Sequence, residues 1–255
     1  GRDAFIASRH GRRRPIEGLG KVALFAHFRG GRRWPGKEEG NIRIFSFEPG
    51  WFWYIPFHNG TSSVGCVLHA RTVRGREGDL EQLYESLIAR CDGLTEALDG
   101  APRITPVHSA ANFSYRTDPA IGDRFVCVGD AIAFVDPIFS SGVYSATQSA
   151  ERASVEILKA VRDNRFQARR FRDYERRIRD GMKRKFLLFS SLRTAKMRNH
   201  DDTRATARKI FKARHKPCEP RRIRDFSVLH WDIEICPHEH ALTLHVEALR
   251  GLQLV

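Results

Sequence analysis

Four short runs of β-branched and aromatic residues fill the first part of the chain: KVALFAHF (21–28), NIRIFSF (41–47), WFWYIPF (51–57) and TSSVGCVLHA (61–70). Turn-forming residues separate them, at EPG (48–50) and HNG (58–60). This spacing predicts antiparallel strands joined by tight turns. The period then changes. In GDLEQLYESLIARC (78–91), apolar Leu80, Leu83, Leu87 and Ile88 recur at helical spacing. RITPVHS and ANFSYRT, after Pro102, predict two more strands, and DRFVCVGDA (123–131) predicts a buried strand ending in Gly-Asp. From Ser140 to Arg162 the pattern predicts one helix, with Ser140 or Ser141 as its N-cap. A second, very basic helix is expected to run to residue 189, and residues 190–255 fit no pattern. Strands followed by helices predict an α/β or α+β protein.

Composition narrows the class. The protein has 255 residues, 41% of them hydrophobic and 10% aromatic, which suits a globular protein with a sizeable core. No apolar run approaches the length needed to cross a membrane. The five cysteines (Cys66, Cys91, Cys127, Cys218 and Cys236) are odd in number and form no CxxC, which points to reduced thiols and a cytoplasmic setting. The net charge of +14 sits almost wholly in residues 161–225, where 23 Lys and Arg face 8 Asp and Glu. Such a block is the footprint of a nucleic-acid-binding module. It lacks zinc-finger spacing, a helix-turn-helix pattern and interleaved aromatics, so a solvated helix face is the expectation and nucleic acid is not the expected partner. His230, Cys236, His238 and His240 match no metal-site spacing, and no metal is expected. Asp118, His58, His69 and His108 suggest no nucleophilic triad.

The densest chemistry lies in GDAIAFVDPIFSSGVYSA (129–146). Gly129 lets the backbone approach a ligand without a Cβ in the way. Asp130 is left as an acceptor for a sugar or ribitol hydroxyl. Asp136-Pro137 forms a rigid extended turn. Ser140, Ser141 and Gly142 open a helix, where free N–H groups and the helix dipole favour an anion or an electron-rich carbonyl. The string closely resembles the second FAD-binding motif of the aromatic-hydroxylase-like flavoenzymes, GDAxxxxxPxxxxG, in the wording of the halogenase branch.

WFWYIP, at residues 51–56, is similar to WxWxIP, the motif of flavin-dependent halogenases, at Trp51, Trp53, Ile55 and Pro56. On a strand, Trp51 and Trp53 point to one face and Phe52 and Tyr54 to the other. Either motif alone reads as turn chemistry or as an aromatic core strand. The two together, in this order, identify a halogenase-like protein, with the resemblance covering residues 1–188.

The resemblance implies an FAD-binding aromatic-hydroxylase/halogenase-like fold that lacks its N-terminal βαβ unit, since no GxGxxG occurs. Residues 1–110 are then mostly a substrate-side antiparallel sheet with a helix. Residues 111–163 are a returning part of the FAD-binding domain, 164–190 a basic helix and 191–255 unassigned. The implied reaction uses reduced FAD, delivered by a separate reductase, with O2 and halide to make hypohalous acid that halogenates an aromatic ring. A flavin monooxygenase of the same superfamily is the alternative. Trp51, Trp53, Ile55 and Pro56 would screen flavin from substrate. Gly129, Asp130, Asp136, Pro137, Ser140, Ser141, Gly142 and Val143 would hold the flavin, with halide at Ser141 and Gly142. Tryptophan-halogenating members carry Glu where this sequence has Phe139, so a phenolic or pyrrolic ring, free or tethered to a carrier protein, is the expected substrate. Without its nucleotide-binding portion the protein is expected to retain FAD weakly and to be inactive alone.

Overall fold

The computed structural model describes residues 3–75, 78–138, 142–194, 231–236 and 241–246. The protein divides into two units, Gly1–Gly20 with Asn112–His215, and Lys21–Ala111 with Lys216–Val255. It is mixed α and β, and its sheets pair antiparallel.

The first unit opens with α1 (Phe5–His10) and β1 (Arg12–Pro15). The second unit is then built from β2 (Lys21–Arg29), β3 (Ile42–Phe47), β4 (Gly50–Pro56) and β5 (Thr61–His69), followed by α2 (Ala70–Arg74), α3 (Leu80–Ala89), α4 (Asp92–Leu98) and β6 (His108–Ala111). The backbone returns to the first unit through β7 (Tyr115–Asp118), β8 (Ile121–Gly122), β9 (Phe125–Val126), β10 (Ala133–Phe134), α5 (Gly142–Arg162) and α6 (Arg172–Thr194). Two further strands, β11 (Trp231–Cys236) and β12 (Ala241–Val246), join the second unit's sheet, whose order is β11-β12-β3-β4-β5-β2-β6.

Alternation along these strands decides which side is core. Val22, Leu24, Ala26 and Phe28 of β2, Phe52 and Tyr54 of β4, and Val64, Cys66 and Leu68 of β5 form one buried cluster with Tyr84, Leu87, Leu94 and Leu98 of the helices. Two buried hydroxyls fasten it. Tyr84 donates to the Val64 carbonyl at 2.8 Å, and Tyr54 donates to the Arg32 carbonyl at 3.1 Å. The helix expected at 78–91 begins with a full capping box, in which Asp79 accepts from the Gln82 N–H at 2.8 Å and its own N–H donates to Gln82 at 3.2 Å.

In the first unit, Ile121, Cys127, Ile132, Ala153, Ala160, Phe171 and Tyr174 form a separate core. The strand expected over 123–131 is replaced by a two-residue pairing of Ile121–Gly122 with Phe125–Val126, after which Gly129–Ala131 makes a 3-10 turn. A buried strand needs ladder partners for its N–H and C=O groups. Here these groups turn to other partners: the Cys127 N–H donates to Ala120 and its carbonyl accepts the Tyr174 hydroxyl at 2.7 Å. The basic helix begins at Arg172, later than expected, because Ala168–Phe171 is a 3-10 segment with its first N–H on Asp123 at 2.7 Å. Intrahelical pairs such as Arg179 with Glu175, at 2.6 Å, occupy part of its charge.

The strands β11 and β12 fall where no pattern was expected. Trp231, Ile233 and Ile235, and Leu242, Leu244 and Val246, alternate with polar residues. That period of two is the signal that would have found them.

Candidate functional site

Two groups of side chains hold the candidate chemistry, one in each unit.

In the first unit, the Gly129 turn and α5 border a cleft of about 100 Å3. Gly129 has φ +54, and a Cβ there would lie 2.9 Å from the Ala146 Cβ on α5. The position therefore requires glycine twice, for its backbone conformation and for its closeness to the helix. Its N–H donates to Ser149 Oγ at 2.8 Å, and Ser149 is itself buried, so turn and helix are tied together. Around them stand Asp130, Asp136, Ser145, Gln148 and Arg152. Asp136 is buried, and its carboxylate accepts the Ile138 N–H at 3.0 Å in an Asx turn around Pro137. The Asp130 main-chain carbonyl accepts the Tyr115 hydroxyl at 2.7 Å, which fixes the turn from below. Among the described residues the Asp130 carboxylate has no partner, and Asp130 lines this cleft.

An FAD ribityl group, with its row of hydroxyls, is suited by a bare Cα for close approach and a carboxylate acceptor beside it. The residues present fit that group. Gly142 opens α5 and lines the same cleft, whereas Val143 is 77% exposed. Ser140 and Ser141 lie outside the described residues, as does Phe139.

In the second unit, β4 presents Trp51 and Trp53 on the face opposite Phe52 and Tyr54. The two indoles lie 6.1 Å apart between centroids. Trp53 Nε1 donates to Ser63 Oγ at 3.2 Å, while the buried Trp51 Nε1 has no partner among the described residues. Ile55 shares their side of the strand, and Pro56 ends it. Trp53 stands in register with Gly65 on β5, which in turn pairs with Phe25 on β2 and so with His108 on β6. Phe25, His27 and His108 thus share the tryptophans' face. Strand alternation alone did not reveal this, because it does not tell which strands are neighbours.

Electrostatics elsewhere look structural. Burial pushes the Cys66 thiol up to about 12 and raises the thiols of Cys91 and Cys127. The hydrogen bond from Arg103 lowers the Glu81 carboxylate. Among the described residues no His, Cys, Asp and Glu form a metal-sized group, and His230, His238 and His240 fall outside them. No helix among the described residues is long and apolar enough to cross a membrane.

Comparison with known proteins follows the same residues. Positions 39–204 match the family described as Tryptophan halogenase. A 1H-pyrrole-2-carbonyl-[peptidyl-carrier protein] chlorinase of Pseudomonas fluorescens is 38% identical over 133 residues, 52% of this chain and 30% of its own length. The flavin-dependent halogenase armH5 of Armillaria mellea is 33% identical over 176 residues, 64% of this chain and 33% of its own length. The structure of the myxobacterial chondrochloren halogenase CndH, an FAD-dependent halogenase, superposes with a TM-score of 0.62 at 34% identity, over 70% of this chain and 42% of that one. The present chain thus spans about a third of the length of these curated relatives.

Proposed function

This chain belongs to the tryptophan halogenase family, and we propose that it forms the flavin-proximal and substrate-side part of an FAD-dependent halogenase. The observation that carries this reading is the Gly129–Asp130 turn clamped to α5, with Asp130, whose carboxylate is unpartnered among the described residues, lining the cleft beside it. Asp130 binds the ribityl hydroxyls, Gly129 admits the cofactor's close approach, and Asp136 with Pro137 holds the loop that leads to the start of α5. Ser140, Ser141, Gly142 and Val143 complete the flavin edge, with Ser141 and Gly142 receiving the halide. Bound there, FAD supplies the oxidising chemistry by which its reduced form, O2 and halide yield hypohalous acid.

Trp51, Trp53, Ile55 and Pro56 serve as the screen that favours oxidation of halide over oxygenation of the ring. The ring then takes X+ from HOX and loses H+, giving the aryl halide and water. The substrate is a phenolic or pyrrolic ring, free or carrier-tethered; the Pseudomonas relative's pyrrole-carrier substrate supports that class. A separate flavin reductase is the second partner. The free thiols of Cys66, Cys91 and Cys127 suit a cytoplasmic setting.

The test is a fusion in which this chain replaces the matching segment of the Pseudomonas relative, supplied with a flavin reductase, FAD, O2 and bromide. Mass spectra of a phenol or pyrrole probe should show the bromine isotope doublet. A hydroxylated product instead would identify a flavin monooxygenase and overturn the reading.

A further inference from the structure

We propose that the substrate ring is received on the sheet face built by Phe25, Trp53 and His108, with the imidazoles of His27 and His108 hydrogen-bonding its O–H or N–H. This deepens the halogenase reading above and rests on it for the identity of the ligand. The case begins with Gly65. Its missing side chain leaves room for the Trp53 indole to lie across β5, since a Cβ there would be 2.2 Å from the indole and 2.6 Å from the Phe25 Cβ. Phe25 is thereby flanked on both sides, by Trp53 at 6.1 Å and by His108 at 5.5 Å between ring centroids. The result is a row of three rings across four adjacent strands, on the side of the sheet away from the helix-covered core.

A row of this kind offers π-faces to a planar, electron-rich ring, and aromatic pairs favour offset or edge-on contact at these separations. The polar groups are distributed to match. Trp53 Nε1 is already spent on Ser63 at 3.2 Å, so the indole is a fixed wall without a free donor. The two imidazoles are different. His27 is held by its backbone, its N–H on Thr105 Oγ1 at 2.9 Å, and its ring is edge-on to Phe57 at 5.6 Å. Neither the His27 nor the His108 ring nitrogens have a hydrogen-bond partner among the described residues. An imidazole beside Phe25, that of His108, and a second two residues further along β2 on the same face, that of His27, both without protein partners, can orient a ligand that carries one ring O–H or N–H. The protein's core has no need of them.

The test uses the isotopically labelled 255-residue protein and two probes, phloroglucinol and pyrrole-2-carboxamide, followed by NMR of the imidazole and aromatic C–H signals. Saturable shifts are expected at the Cε1–H of His27 and His108 and on the rings of Phe25 and Trp53. His108→Phe keeps the stack and loses the nitrogens, and should weaken binding about tenfold. His108→Gln should recover part of that loss, and His27→Phe serves as the second variant should His108→Phe fail to fold. Shifts confined to other residues, or unchanged affinity in folded His108→Phe and His27→Phe, would overturn the proposal. Either failure leaves the halogenase reading standing on its own product test. Conversely, ring binding here without any brominated product from the fusion would sink the halogenase reading alone.

Discussion

Gly65 stands opposite Trp53 in the β4–β5 register, and the indole occupies the space that any side chain at Gly65 would need. The tryptophan's orientation is therefore set from the neighbouring strand as much as from its own. Gly65→Ala should push the indole off the sheet and break its bond to Ser63. Overpacking of this kind costs about 1–3 kcal/mol. Urea unfolding measures the loss, and a shifted tryptophan emission reports the displaced ring; wild-type stability and emission would contradict the close packing.

Gly129 supports a parallel prediction in the first unit. Gly129→Ala forces a Cβ to within 2.9 Å of Ala146 in a left-handed backbone conformation. The conformation alone costs about 1–2 kcal/mol. A lower Tm is expected, together with weaker flavin binding by the fusion with the Pseudomonas relative. Ser149→Ala tests the other side of the same joint, since it leaves the buried Gly129 N–H without its acceptor at about 1–3 kcal/mol.

The Cys66 thiol, pushed up to about 12 by burial, stays protonated far above neutral pH. Iodoacetamide at about pH 8, near the ordinary thiol range, should spare Cys66 in the native protein and label it in urea, read by peptide mapping. Rapid native labelling would mean that the β5 core opens readily.

Arg103 donates to Glu81 at 2.7 Å and to Glu85 at 3.2 Å, and the first of these bonds holds the Glu81 carboxyl below its ordinary range. A carboxylate whose folded pKa is depressed stabilises the protein above its unfolded pKa, about 4.3 for Glu. That contribution is lost as pH falls through the folded value. Glu81→Gln should therefore lower stability modestly at neutral pH, where the contribution is fully present, and flatten the acid limb of a stability–pH curve below about pH 4. Because the Glu81 side chain is about half exposed, high salt should shrink the difference.

Most secondary elements and the types of residue at the candidate site were legible in local sequence. Alternation in WFWYIP assigned Trp51 and Trp53 to one face, the helical spacing of Leu80, Leu83, Leu87 and Ile88 located α3, and GDA followed by Pro137 and Gly142 marked the loop of the candidate site. These signals are carried by residues within a few positions of one another. Long-range packing supplied what such patterns cannot encode. That Gly129–Ala131 turns instead of extending a strand depends on which groups, distant in sequence, satisfy its backbone, with Ser149 and Tyr115 among them. That Trp53, Gly65, Phe25 and His108 form one row depends on strand neighbours and register, because β2 pairs with β5 and β6 and not with β3. Periodicity gives the direction of each side chain. Only the pairing of distant strands brings those side chains within reach of one another.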